Sequence, residues 1–563
     1  MKLHRSMLSV LLGIVLSGFA APQSPAAVKD DAEAAKSLAA AHAAANGDPM
    51  LEVMLTELER SKAQLKMDQV GTPYYIEYRV SDVEEFLAEA AFGALRENQK
   101  VHVRILRVVV RVGDYKQDSY FGEGMGQTSI LPLDNDPIAL RHQIWLATDE
   151  AYKDAGQALT QKQAALKQFT ADDHPVEDFA KVPVVTMVQP LATMKYDEDG
   201  WKKSLEEATN VYRMYPEIQS LSAFARFSLM NEYFVNSEGT VTRTGRNVYS
   251  VQLSASTQAP DGMRLARSPA WTVAKYEELP TREKLVQYSR EAMDTLKALR
   301  TAPIVDEEYR GPVLFEADAA DDVLAGLIGN NVLGRKPQLG APNRTTGAFA
   351  TSLKSKVLPT FMDVVDDPTM KEFHGKSTIG SYEVDSEGVK AQPVNVVDKG
   401  VLTNYLVGRQ PIRDFPASNG HGRGAPSTPP GPNLGVLVIK SSEAKPFDEL
   451  KKTMIERVNA SGQPFGYRVV TMGGTAPRLL YRVYAKDGHE ELVRGAVFSE
   501  LDIRALRSDL SAAGNDPIVT NRFGGVATTV ICPSLLFDEL EVKRADTSKD
   551  KLPDYPAPPL EKK

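Results

Sequence analysis

The chain has 563 residues, with 66 Lys and Arg against 74 Asp and Glu, a formal net charge of -8. With no Lys/Arg cluster forming a face, this mild acidity excludes a nucleic-acid footprint. Its 42% hydrophobic and 25% charged residues are those of an ordinary globular protein, and the length is too great for one core.

Residues 1–27 read as a secretory signal peptide. Lys2, His4 and Arg5 form a basic start, Met7 to Leu16 a short apolar run, and small residues from Gly18 to Ala27 a cleavage region. No later stretch is long and apolar enough to span a bilayer, so the mature chain is expected without a transmembrane segment, secreted or periplasmic. An Ala-rich leader follows over 28–48. Leu51, Met54, Leu55 and Leu58 have helical spacing. Residues 73–80 read as a strand, 82–95 fit either a helix or a strand, and 101–112 form the clearest strand of the first half. Residues 138–169 carry a long helical pattern with a break expected near Gly156. A Pro-bearing connector spans 172–190, a second helix 201–214, and a strand pair 220–256 turns at Asn236-Ser237-Glu238-Gly239. A third helix, 281–300, opens on Thr281 as its N-cap.

Beyond Pro303 strands dominate, punctuated by Gly and Pro. Residues 380–410 read as two hairpins, turning at Ser386-Glu387-Gly388 and at Asp398-Lys399-Gly400. Helices are expected at 321–328, 447–459 and 503–512. The single cysteine, Cys532, sits in a strand-like run and excludes an internal disulfide. The fold class is α+β: an N-terminal α+β domain over 49–302, a larger β-rich antiparallel domain over 303–545, and a disordered tail over 546–563.

Several segments of the second half, taken in order, resemble the TldD/PmbA family of metallopeptidase-like proteins. They are Val364-Val365-Asp366-Asp367-Pro368-Thr369, Gly380 to Gly388, Gly400 to Leu406, Ser418 to Arg423, Arg494-Gly495, Ala513 to Asp516 and Pro533 to Leu536. The resemblance implies a peptide as substrate, zinc as cofactor in the catalytic member, and action in TldD–TldE pairs. In that catalytic member the ligands lie in a His-Glu-x-x-x-His segment, matched here by Phe315, Glu316, Ala317, Asp318, Ala319 and Ala320. Glu316 matches the general base. Phe315 and Ala320 stand where the histidines would be, and neither offers a lone pair to a metal. No bound cofactor is therefore expected.

Without a metal to acidify water, Glu316 is read as a helix-start residue. The eight histidines include no pair at the i, i+3 or i, i+4 spacing of a helical metal site. A site rebuilt around His374 and His421 is the active-metallopeptidase alternative. Gly420, His421, Gly422 and Arg423 read as a loop folding closely over a bound peptide, and Asp366 and Asp367 as a turn that holds a peptide amine. The expectation is a non-catalytic, TldE-like subunit or stand-alone protein that binds an unfolded or extended peptide. A TldD-like or identical chain would be its partner. A structural envelope protein is the reading from a different class.

Overall fold

The computed structural model describes residues 39–45, 47–169 and 176–553. The expected signal peptide, the first part of the leader and the end of the tail lie outside them.

The first half is built on one sheet. Its strands are β1 (Tyr75–Ala91), β2 (Ala94–Arg111), β3 (Gln127–Leu131), β4 (Thr186–Val188), β5 (Ser220–Asn236), β6 (Val241–Gln258), β7 (Arg264–Arg267) and β8 (Ala270–Val273). The order is β3-β2-β1-β5-β6-β4, with β7 and β8 also pairing β6. Around it lie α1 (Pro49–Gln64), α2 (Pro137–Leu166), α3 (Glu198–Asn210) and α4 (Arg282–Thr301). Each starts on a side-chain cap: Asp48, Asp136, Asp197 and Thr281 accept from first-turn N–H groups.

Strand alternation divides this sheet into two faces. Tyr78 and Val80 of β1 pack with α1 and α2, and Phe86, on the same face, packs with Phe227, Tyr249 and Trp201. The other face is polar. The register sets Ser81, Glu232 and Thr244 in one cross-strand row and Val83, Met230 and Arg246 in the next. The ambiguous segment 82–95 is therefore strand to Ala91 and then the Phe92-Gly93 turn into β2, because β1 runs unbroken between two long partners. α2 is also unbroken at Gly156, where Val70 packs so closely that a Cβ would meet it.

The second half carries β9 (Tyr309–Phe315), β10 (Met362–Asp366), β11 (Glu372–Phe373), β12 (Lys376–Ser377), β13 (Val394–Asp398), β14 (Val401–Leu402), β15 (Gly422–Arg423), β16 (Gly431–Pro432) and β17 (Val436–Ser441). There follow β18 (Phe465–Gly473), β19 (Ala476–Tyr484), β20 (Glu490–Val493), β21 (Ala496–Phe498), β22 (Leu510–Ala513), β23 (Ile518–Phe523), β24 (Ala527–Cys532) and β25 (Leu535–Arg544). One sheet runs β14-β13-β10-β17-β24-β23 and another β20-β19-β18-β9-β25-β21, with β22 on β25. Most pairs are antiparallel; β17–β24 and β18–β9 are parallel. Between these sheets lies α5 (Ala317–Leu324), which continues into a π turn at Ala325–Gly329. α6 (Phe447–Ala460) and α7 (Ile503–Ser508) complete it. The architecture is the α+β type expected, with a β-rich second half.

Two local expectations are corrected and one is met. The first hairpin of 380–410 is a turn closed by a single bridge, Val384 to Lys390, because buried side chains rather than a ladder hold it. The second hairpin forms, as β13–β14 with Lys399 and Gly400 at positive φ. The helix expected at 503–512 stops at Ser508, and Leu510–Ala513 pairs with β25 instead.

Candidate functional site

Phe315 is the last residue of β9 and is fully buried. Its ring packs against Phe498 at 5.2 Å and Phe537 at 5.4 Å between centroids. Glu316 is the N-cap of α5 without a side-chain capping bond. Its backbone N–H donates to Val469 O at 2.9 Å, and its carboxylate pairs with Arg468, which also pairs with Glu490 at 2.5 Å. Burial raises the Glu316 pKa above the usual carboxylate range, against the opposing pull of Arg468. Ala320 is fully buried one turn on. Next to it, Asp321 is buried, bonded to Arg522, and pushed up to about 6 by burial. Among the described residues, no group of three or more His, Cys, Asp or Glu side chains is placed to hold a metal ion.

A second centre forms around β10, the 380–388 segment and β15. His421 and Asp366 are both fully buried, with Nε2 3.1 Å from Asp366 Oδ1. Gly435 and Val436 N–H groups donate to the same oxygen at 3.1 and 3.2 Å. His421 Nδ1 lies 3.0 Å from Asn419 O. Gly422 N–H donates to Asp385 Oδ2 at 2.8 Å, and a Cβ at Gly422 would collide with the Glu387 carboxylate. Asp385 and Glu387 are themselves buried. Burial and then the Glu387 charge push Asp385 up to about 8; burial also raises Glu387. Glu387 accepts from the Arg409 N–H at 2.6 Å, and Arg409 reaches Glu238 at 2.8 Å in the first half.

These elements meet the polar face of the first sheet. Arg79 Nη2 donates to Ala425 O at 2.9 Å and Thr428 O at 3.0 Å. Val248 packs with Ile379 and Ala527 across the junction. Gly380 fits there only as glycine, since a Cβ would strike Gly435 O. Between the two halves remains a cavity of about 430 Å³. Glu232, Arg246 and Asn247 line it from the first half; Tyr382, Asp385 and Arg423 line it from the second. Arg423 is buried, lies 4.5 Å from the centroid of the Tyr382 ring, and donates to Leu434 O.

The structure thus brings Asp366, Gly420, His421, Gly422 and Arg423 together, with Tyr382 Oη donating to Gly420 O at 2.7 Å. Only Arg423 among them lines the cavity. Asp367 is half-buried and caps the Thr369 N–H at 3.0 Å. Glu316 shares no hydrogen bond or ion pair with this centre among the described residues. His374 is exposed, at φ 47°.

A family model described as the PmbA/TldA metallopeptidase C-terminal domain matches residues 308–544. A metalloprotease of Methanothermobacter thermautotrophicus is 24% identical over 220 residues, 38% of this chain and 45% of the relative. One of Archaeoglobus fulgidus is 25% identical over 189 residues, 33% of this chain and 43% of the relative. Residues 308–544 thus carry the C-terminal domain of the TldD/PmbA family. It spans less than half the length of these curated relatives. Solved structures extend the likeness in fold to nearly the whole chain. TldE from Thermococcus kodakarensis has a TM-score of 0.57 at 12% identity, over 87% of this chain and all (100%) of that one. A proposed modulator of a DNA gyrase from Thermotoga maritima gives 0.56 at 16% identity, over 87% of this chain and 100% of the other. At such identities the likeness is one of fold.

Within this TldD/PmbA fold, sequence reasoning missed Arg246, Asp385 and Glu387. Asp385 and Glu387 sit in a segment with the composition of an exposed turn. Glu232 and Arg246 are flanked by Asn231 and Tyr233 and by Gly245 and Asn247, so no apolar alternation marks them in the sequence.

Proposed function

We propose that this chain is an exported, TldE-like member of its family that has lost the zinc site and binds an unfolded or extended peptide. It acts as the non-catalytic partner of a TldD-like chain or as a dimer of itself. The observation that carries this reading is the pair Phe315 and Ala320, buried and apolar at the positions where the resemblance puts the zinc-ligating histidines. The donors left near the start of α5 are carboxylates already engaged with Arg468 and Arg522, a set that does not suit a zinc ion needing imidazole or thiolate. Glu316 without a metal has no acidified water to work on. Peptide binding is supported by the glycine-bearing loop at 420–424 and by the cavity beneath it.

The deciding experiment is metal content of the purified mature protein after dialysis against trace zinc, with peptide cleavage assayed alongside. Less than about a tenth of an equivalent and no chelator-sensitive cleavage is the expected result. About one zinc per chain, with activity lost on changing His374 or His421 to Ala, would instead establish a metallopeptidase with relocated ligands.

A further inference from the structure

The cavity between the two halves holds an arginine, Arg246, whose nearest opposite charge is Glu232. Arg246 makes no hydrogen bond or ion pair among the described residues, although it is half-buried between the first sheet and the 377–386 segment. The other charges lining the cavity are largely matched: Lys371 pairs with Glu383 at 2.7 Å, and Lys275 with Glu372 at 2.6 Å. Near Arg246 stands Arg79, whose buried Nε and Nη1 have no acceptor among the described residues. Beside it stands Arg423, stacked on Tyr382. Enclosure, the nearness of Arg423 and, in part, of Arg79 pull the Arg246 pKa down to about 10. A group in that position is stabilised by an incoming anion.

We infer that Arg246 is a docking point for the C-terminal carboxylate of an extended peptide, with Arg423 beside it. A guanidinium fork matches a carboxylate two-pronged. Glu232 on the cavity wall disfavours a dianion such as phosphate, so a monoanion fits the charge better. Met230, Ile379 and Val526 give an apolar side for the terminal side chain, and the volume suits one or two residues. The inference rests on the peptide-binding reading and narrows it: peptides would be recognised by their free end.

The test uses a mixed-sequence pool of N-acetylated octapeptides in two forms, C-terminal acid and C-terminal amide. Each is bound to the full-length mature protein and to Arg246→Met and Arg246→Lys, and the retained fraction is quantified by mass spectrometry. The acid pool is expected to bind at least about tenfold more tightly than the amide pool, the preference falling within about twofold in Arg246→Met and partly returning in Arg246→Lys. Equal retention of acid and amide by the unchanged protein, which needs no variant to fold, overturns this inference and leaves peptide binding standing. A preference that survives Arg246→Met overturns it too. Retention of acid-side-chain peptides in both forms assigns the site to Asp or Glu side chains instead. Absence of saturable binding for both pools removes the peptide-binding reading and this inference with it.

Discussion

His421 Nε2 lies 3.1 Å from Asp366 Oδ1, and neither side chain is exposed. The pair ties the end of β10 to the loop before β15, and the Gly435 and Val436 N–H groups complete the set around the same carboxylate. This is how a structural aspartate is satisfied: every partner is buried, and three segments distant in sequence depend on one side chain.

Asp366→Ala is therefore expected to cost about 3 kcal/mol or more, because it strands two backbone donors and an imidazole. Asp367→Ala, one residue on and half-buried, is expected to cost less than about 0.5–1 kcal/mol, for the loss of its cap to Thr369. Urea unfolding of the two variants separates these outcomes. Similar costs for both would mean that Asp366 is not the anchor the geometry describes.

Phe315 is held as a core residue. Its ring meets Phe498 and Phe537 and is fully buried, so Phe315→Ala is expected to destabilise the protein by about 3–5 kcal/mol. A change below about 1 kcal/mol in the unfolding midpoint would show that the surroundings relax around the site.

The halves of the fold differ in how far the residues disclosed them. The long strands and capped helices of the first half were legible because their signals are local: alternation in residues 220–256, Thr281 ahead of a helical stripe. The α+β class followed from these and from the Gly- and Pro-punctuated second half. The 380–388 segment was not legible. Asp385 and Glu387 have the composition of an exposed turn, and only burial against β15 and Arg409 turns them inward. The cavity escaped notice for the same reason. Arg246 and Arg423 are 177 positions apart in the chain, and only the docking of the second half on the polar face of the first sheet places both on one cavity wall.

Glu316→Gln tests whether that residue has any role beyond opening α5. Its partner Arg468 keeps Glu490 at 2.5 Å, and the Glu316 side chain is 28% exposed. The loss is expected to stay below about 1 kcal/mol, with peptide retention unchanged. A loss of chelator-sensitive hydrolysis in this variant would restore Glu316 as a general base.

The buried acids of the 385–387 turn predict the pH profile of stability. Asp385 is raised to about 8, with Glu387 also raised and Asp321 at about 6. An unfolded Asp titrates near its ordinary value of about 3.9. Between about pH 4 and pH 8 the native state thus retains protons that the unfolded chain has released, so stability falls as pH rises through this window. Asp385 is enclosed by the N–H groups of Glu387, Val389 and Gly422, with Glu387 as its nearest acid neighbour in charge. Asp385→Asn removes that titration and the repulsion it exerts on Glu387, so the fall between about pH 6 and pH 8 is expected to flatten even if the variant is less stable overall. Urea midpoints taken across that range on both proteins read the slope directly. Parallel slopes would mean that the native turn holds Asp385 ionised.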